Sequence, residues 1–133
     1  STQGVSSAAS DVYKRQLLEG LDALGNLRFV LGTDYEEAKA AAMLTALGLT
    51  WETGKPVREW SGGMKRRLAL ARALLAVSDA VALDEPFTGM DPETLQKAAA
   101  LIRERGGGKN VLLATHDRDA IAALGWPVIQ LAE

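Results

Sequence analysis

The chain has 133 residues, enough for one domain with a modest core, and 47% of them are hydrophobic, as in soluble globular proteins. Its net charge of −2 gives no basic surface for nucleic acid, and the lack of cysteine excludes disulfide bonds, thiolate metal sites and a cysteine nucleophile. Because no apolar run reaches transmembrane length and no secretory signal is visible, we expect a soluble protein of the cytoplasm.

The first 16 residues are small and polar and show no amphipathic period. Residues 5–16 resemble translated read-through of a sequencing adapter, so we expect residues 1–16 to be a non-native or disordered tail. A natural flexible tail is the alternative. Gln16 belongs to this stretch, and we therefore assign it no function.

Residues 17–78 are predicted to form a mainly helical part. Apolar side chains recur every three or four residues over 17–31, which predicts an amphipathic helix in part of this range, ended by Gly32. A second helix should reach about Leu47 and end at Gly48. Two pairs of residues offer this helix a capping box, Thr33 with Glu36 and Asp34 with Glu37. Three large side chains are expected to pack in the core rather than hold a cofactor, namely Met43, Trp51 and Trp60.

Ser61, Gly62 and Gly63 precede a third amphipathic segment, which makes Ser61 a good N-cap. The two glycines allow positive φ angles and a close approach of a ligand to the backbone. Because a helix N-terminus carries free N–H groups and a partial positive charge, this turn predicts an anion site. The alternative is a capped helix whose basic side chains are simply solvated.

Ala80 to Leu83 form an apolar run typical of a buried parallel strand, and Asp84 and Glu85 end it. Open α/β sheets place their ligands at this carboxyl edge. Asp84 can hold Mg²⁺, which prefers hard oxygen ligands, and Glu85 can orient or deprotonate an attacking water. A solvated strand terminus is the alternative.

From this strand onward the pattern alternates between strand and helix. We predict strands at 80–84 and 111–115, helices at 92–105 and 117–124, and a last apolar run at 127–131. This βαβαβ order predicts an α/β fold with a parallel sheet. Asp91 should cap the first of these helices, with Pro92 in its first turn. His116, the only histidine, follows a strand on the edge that carries Asp84 and Glu85, so we expect it to bond a terminal phosphate or the attacking water.

The order of these pieces resembles that of the ATP-binding cassette (ABC) ATPases. The matching segments are 61–64 for the signature motif, 80–85 for the Walker B strand and catalytic glutamate, 89–91 for the D-loop and 112–117 for the switch histidine. Trp60 and Met64 depart from the Leu and Gln that are usual in the signature. Four stretches are most similar to those of nitrate, sulfonate and taurine importers, namely Leu17-Leu18, Asn26-Leu27, 84–89 and 115–117.

The resemblance implies a P-loop ATPase fold, here its C-terminal part, with the helical signature subdomain and a partial RecA-like core over 79–133. It implies ATP and Mg²⁺ as cofactors, a second ATPase subunit and membrane-spanning permease subunits as partners, and a location at the inner face of the cell membrane. In such an enzyme Asp84 would bind the metal, Glu85 would activate water and His116 would steady the transition state. The residues that bind ATP across the dimer would be Ser61, Gly62, Gly63, Met64 and Asp91.

One motif of the family is missing, the phosphate loop Gly-x-x-x-x-Gly-Lys-Ser/Thr. The nearest lookalike, 48–56, has Pro56 where the metal-binding hydroxyl belongs. We therefore expect an N-terminally truncated subunit, inactive by itself, with an exposed sheet edge beside strand 111–115. Two alternatives stay open, the ATPase head of a DNA-repair or chromosome-maintenance protein and an inert or regulatory fragment.

Overall fold

The computed structural model describes residues 17–51, 53–108 and 110–131, and the structural statements below concern those ranges. The predicted tail, residues 1–16, lies outside them. The helices and strands are, in chain order, α1 (Ala23–Leu31), α2 (Glu37–Ala46), α3 (Gly62–Leu75), β1 (Ala80–Asp84), α4 (Pro92–Arg105), β2 (Asn110–Ala114) and α5 (Arg118–Leu124). This composition confirms the predicted α/β class. No helix within the described ranges is long and apolar enough to cross a membrane.

Helices α1, α2 and α3 pack together in what we call the helical region, residues 17–75. Leu27 of α1, Leu44 of α2 and Leu68 of α3 are fully buried and belong to its core. Each helix therefore places an apolar stripe against the other two, as the three- and four-residue spacing of the sequence predicts.

Glycines follow two of these helices where the sequence predicts them. Helix α1 stops at Gly32 (φ 55°) and α2 is followed by Gly48 (φ 73°), and glycine adopts positive φ without a steric penalty. The predicted packing residues Met43 and Trp60 are buried. Trp51 is half-buried, and its indole N–H donates to a threonine hydroxyl at 3.0 Å.

A buried asparagine fixes the loop that precedes α1. Asn26 is 2% exposed, and its side chain bonds both backbone groups of Leu18. Its Oδ1 accepts from the Leu18 N–H at 2.6 Å, and its Nδ2 donates to the Leu18 carbonyl at 3.0 Å. The same Nδ2 donates to the carbonyl of Asp22, the residue whose carboxylate caps α1. The Asn26 side chain therefore ties the loop 18–22 to α1, while the N–H groups of Val57 and Arg58 bond the Leu21 and Glu19 carbonyls of the same loop at 2.9 and 3.0 Å.

The predicted capping boxes of α2 are wrong. Residues Gly32–Asp34 form a turn of 3₁₀ helix, so Thr33 and Asp34 lie in this turn and not at the N-terminus of α2. The chain is extended at Glu36, which precedes α2 without a side-chain cap. The Glu36 carboxylate pairs instead with Lys39 on the surface, at 3.2 Å.

The strand region, residues 80–131, is built on two parallel strands. They pair in register from Ala80 opposite Asn110 to Asp84 opposite Ala114, and α4 forms the crossover between them. Helix α5 then packs against α4. Strand β2 begins and ends one residue earlier than the sequence predicts, whereas β1 and α4 have the predicted bounds.

Among the described residues, only one face of this sheet is covered. Alternate residues of a strand point to the same side, and those that pack against the core are Val81, Leu83, Val111 and Leu113. On the other side Ala80 and Ala82 are exposed, and Leu112 is 74% exposed. The prediction of a fully buried strand is therefore wrong for β1, because a sheet buries only the face that another layer covers.

The apolar run 127–131 does not form the third predicted strand. Just before it, Trp126 packs over Gly106, where an added Cβ would lie 3.5 Å from the indole ring. Pro127 then lacks the N–H group that a strand ladder needs, and Ile129 is 85% exposed. A strand also needs a hydrogen-bonded neighbour, and the described sheet has only two strands. Within the described residues β2 pairs with β1 alone, and an exposed sheet edge beside it stays a prediction.

Candidate functional site

Glu85 follows β1 and takes a backbone conformation that few residues adopt. Its φ of 47° is the one positive value at a non-glycine residue of the described chain. Its N–H donates to the Ala114 carbonyl at 2.8 Å, one step beyond the last pair of the strand register. The chain therefore turns sharply at the end of β1 while it remains bonded to β2.

The Glu85 carboxylate is bonded to the residues that follow β2. Its Oε1 accepts from the His116 N–H at 3.0 Å, and its Oε2 accepts from the Thr115 hydroxyl at 3.2 Å. The His116 ring lies close to the same carboxylate, with Nε2 3.6 Å from Oε1. The side chains of Glu85 and His116 are 35% and 99% exposed, respectively. Acid and imidazole therefore meet at the carboxyl edge of the sheet, within reach of solvent.

From segment 112–117 the sequence predicts a functional role for the histidine alone, yet the Thr115 hydroxyl makes hydrogen bonds with both Glu85 and Asp117. Besides donating to Glu85, it accepts from the Asp117 N–H at 3.0 Å. Asp117 in turn caps α5 by accepting from the Ala120 N–H at 3.0 Å. The sequence signal that could have identified Thr115 is a hydroxyl residue directly before a histidine at a strand end.

Asp84 ends β1 opposite Ala114 and is exposed. No group of three or more metal-ligating side chains occurs among the described residues. Mg²⁺ is commonly held by one or two carboxylates together with substrate phosphates and water. A single exposed carboxylate at a strand end fits that pattern, so Asp84 has the chemistry to hold Mg²⁺ together with phosphate and water.

Asp84 and Glu85 also border an open groove between β1 and α3. The groove has a volume of about 570 Å³, and Arg66 and Arg72 of α3 line it as well. Arg72 is only 8% exposed, and burial lowers the pKa of its guanidinium. A larger cleft of about 750 Å³, between the ends of α3 and α4, contains neither of the two acids. The groove is therefore the cavity that adjoins the site, and its wall carries charges of both signs.

The signature segment 61–64 begins α3. The Ser61 hydroxyl accepts from the Met64 N–H at 3.2 Å, which confirms the predicted N-cap. Gly62 and Gly63 are the first residues of the helix and neither has a positive φ, so that prediction is wrong. Because Ser61 makes the cap, the helix begins without a left-handed residue. A Cβ added at either glycine would meet no atom within 4 Å, so the glycines leave the helix N-terminus uncovered.

Asp91 caps α4, as the sequence predicts. Its carboxylate accepts from the Thr94 N–H at 2.6 Å, and Pro92 is the first helical residue. Hydrogen bonds from Thr94 hold the pKa of the Asp91 carboxyl below its ordinary value, and the nearby Arg67 also lowers it. Since Arg67 belongs to α3, the start of α4 and the signature helix interact electrostatically.

The predicted site residues thus fall into two groups. Glu85 and His116 are in contact at the carboxyl edge of the sheet, and Asp84 precedes them at the end of β1. The signature segment 61–64 and Asp91 lie instead at the N-termini of two helices, α3 and α4. The first group offers carboxylates and an imidazole for a metal and water, whereas the second offers helix N-termini for an anion.

Comparisons with known proteins give a consistent result. The sequence pattern of the family described as "ABC transporter" matches residues 3–88. The taurine import ATP-binding protein TauB of Pseudomonas fluorescens is 35% identical over 138 residues, which cover 98% of this chain and 52% of that protein. The phospholipid-transporting ATPase ABCA7 of Homo sapiens is 38% identical over 110 residues, which cover 80% of this chain and 5% of that protein.

A solved structure has a similar fold. The ATP-binding cassette MJ0796, as a dimer in a post-hydrolysis state bound to ADP and Pi, matches with a TM-score of 0.68 and 26% sequence identity. The match covers 83% of this chain and 52% of that one. The chain therefore spans about half the length of TauB and of MJ0796, and a much smaller share of ABCA7.

Proposed function

The chain belongs to the ABC transporter family, and on that premise we propose that its parent protein is an ATP-binding subunit that hydrolyses ATP to power solute transport across a membrane. The observation that carries this proposal is the contact between Glu85 and His116 at the carboxyl edge of a parallel sheet. A carboxylate beside an imidazole, partly open to water, is suited to activating water for attack on a phosphate. The two relatives named above are transport proteins by name, which favours this function over DNA repair or chromosome maintenance.

The hydrolytic step is assigned to the side chains at the sheet edge. Asp84 would hold Mg²⁺, which when bound would supply positive charge against the phosphate oxygens. Glu85 accepts a hydrogen bond, and then a proton, from the attacking water. The His116 ring, 99% exposed with Nε2 3.6 Å from Glu85, donates a hydrogen bond to the terminal phosphate while its backbone N–H holds Glu85. The same residue thus serves the acid through its backbone and the phosphate through its ring.

The second group of residues is assigned to phosphate binding across a dimer. The ATP that a second subunit holds is contacted by five residues of this chain, namely Ser61, Gly62, Gly63, Met64 and Asp91. The N–H groups at the start of α3 attract anions, and the open space beside the glycines supports a close approach of the phosphate. The solved dimer of the related cassette MJ0796, which contains ADP and Pi, supports a dimeric assembly.

The further partners are membrane-spanning permease subunits. Because the protein would bind them, its proposed location is the inner face of the cell membrane. Similarity to TauB, a taurine import protein by name, supports an importer of the nitrate, sulfonate and taurine type. The 133 residues contain no phosphate loop, so the chain by itself is assigned no ATPase activity.

Replacement of Glu85 by Gln in the intact subunit tests this function. ATP turnover should fall by about 10²–10⁴-fold because the amide cannot take a proton, whereas ATP binding should persist. Steady-state hydrolysis and a nucleotide titration measure the two quantities. Glu37→Gln, on the exposed surface of α2, is the matched control and should change neither. Unchanged turnover in the Glu85→Gln subunit would remove Glu85 from this role.

A further inference from the structure

We infer that Thr115 is a positioning residue for hydrolysis, whose hydroxyl holds the Glu85 carboxylate in place beside His116. This inference rests on the proposed function, because it concerns the acid that activates water. Thr115 acts through Glu85 and does not itself meet the phosphate or the water. The contact joins the ends of two strands that are 30 residues apart in the sequence.

The hydrogen bonds of the Thr115 hydroxyl fix the direction of its proton. A hydroxyl has one proton to donate and can accept through its lone pairs. The Asp117 N–H can only donate, so Oγ1 accepts that bond, at 3.0 Å. Because the Asp117 bond leaves the Thr115 proton unused, the hydroxyl donates that proton to Oε2 of Glu85, at 3.2 Å. The Thr115 hydroxyl therefore links Asp117, which caps α5, to Glu85, and the direction of each hydrogen bond is known.

The backbone of Glu85 explains why such support is needed. A φ of 47° is unfavourable for a residue with a side chain, and it persists only where the surroundings hold it. The strand register ends at Asp84. The Glu85 N–H then donates to the Ala114 carbonyl at 2.8 Å, and the Glu85 carbonyl accepts a long bond from the Thr88 N–H at 3.5 Å. The bonds from Thr115 and from the His116 N–H add two more links on the side chain. Together they fix the carboxylate at both oxygens.

These bonds position the acid without blocking it. Each carboxylate oxygen has two lone pairs, and one donor at each leaves acceptor capacity for water. The Glu85 side chain is also 35% exposed. Loss of the Thr115 hydroxyl should therefore shift the Glu85 carboxylate from its position, while Glu85 itself and the nucleotide-binding residues remain in the protein.

The test compares Thr115→Val and Thr115→Ser in the intact subunit. The valine variant has nearly the same shape but no hydroxyl, and its kcat should fall by about tenfold to 10²-fold with little change in KM for ATP, as expected for a misplaced catalytic group. The serine variant keeps the hydroxyl and should recover most of the lost kcat. Thr53→Val, at an exposed loop position, is the matched control. Equal kcat values for the valine variant and the unchanged subunit, or no recovery with serine, would overturn the inference.

A second measurement on the 133-residue chain does not depend on activity. Hydrogen exchange of the His116 and Asp117 amides should accelerate by about tenfold in Thr115→Val, because one amide loses its acceptor and the other loses a fixed carboxylate. Thr53→Val should leave both rates unchanged. An unmodified intact subunit that fails to hydrolyse ATP would contradict the proposed function and the role in hydrolysis, and the exchange rates would then report only whether Thr115 holds the Glu85 carboxylate. Equal exchange rates in Thr115→Val and the unchanged chain would overturn it.

Discussion

The helical region and the strand region bury their apolar side chains to different degrees. In the helical region three helices enclose a core in which Leu27, Leu44 and Leu68 have no exposed surface. In the strand region Leu112 is 74% and Ile129 is 85% exposed, although both belong to apolar runs. A helix satisfies its backbone hydrogen bonds internally, whereas a strand depends on neighbours for them. The helical region therefore encloses a core of its own, although Phe29 of α1 is 52% exposed, and the open face of the sheet is the part of the described chain that a further layer or strand would stabilise.

The first way to sharpen this comparison is to truncate one leucine in each region. Leu44→Ala removes a fully buried side chain and should lower the free energy of unfolding by about 2–5 kcal/mol. Leu112→Ala removes a side chain that already lies in water and should change it by less than about 0.5 kcal/mol. Urea unfolding followed by circular dichroism measures both. Equal losses in the two variants would mean that the regions do not differ in this way.

A smaller effect is expected from the buried asparagine of the helical region. Asn26→Ala leaves the N–H and carbonyl of Leu18 without their partner and should cost about 1–3 kcal/mol in unfolding free energy. The matched control is Asn110→Ala, because Asn110 is an exposed asparagine in β2 and should change stability by less than about 0.5 kcal/mol. The same urea experiment applies. An Asn26→Ala variant as stable as its control would show that the loop 18–22 is held by other contacts.

The smallest effect is expected where the two regions meet, at Asp91 and Arg67. The pKa of Asp91 in the folded chain lies below its ordinary value of 3.8, mainly because of the hydrogen bonds from Thr94. The carboxylate therefore stabilises the fold above that ordinary value, and its contribution is lost as the pH falls through the lower folded pKa. The Thr94 amide shift, followed by NMR against pH, should titrate with a midpoint below 3.8.

Arg67→Gln refines this last prediction. Because the Thr94 bonds contribute more than Arg67 does, the variant should raise the Asp91 midpoint only slightly. Its midpoint should stay below the ordinary value. A midpoint at or above 3.8 in the unchanged chain would contradict the cap, and a large rise in Arg67→Gln would assign the effect to the contact between the regions instead.

Local features of the fold could be predicted from the sequence because they depend on neighbouring residues. Gly32 and Gly48 can follow the ends of helices because glycine adopts the positive φ angles found there. Ser61 and Asp91 cap helices by bonds that span three residues. The capping boxes of α2 failed for an equally local reason, since the 3₁₀ turn at Gly32–Asp34 competes for the same residues.

Features that depend on distant residues could not be predicted in this way. The Asn26 side chain bonds a loop eight residues earlier, and Thr115 bonds a carboxylate on another strand. The strand expected at 127–131 also failed because its apolar pattern says nothing of whether a neighbouring strand is present. Within the site, the position of Glu85 and His116 on one edge follows from parallel pairing, whereas the contact between them depends on the turn at Glu85.

The left-handed backbone at Glu85 determines which substitutions can be interpreted at that position. Gln has the same side-chain length and branching as Glu, so both meet the same steric penalty at a φ of 47°. Val and Ile would add a second branch at Cβ and strain the turn itself, so the loss of the carboxylate could not be separated from the change in backbone conformation. An amide is therefore the chemically cleanest probe there, since it removes the charge and keeps the backbone turn at the end of β1.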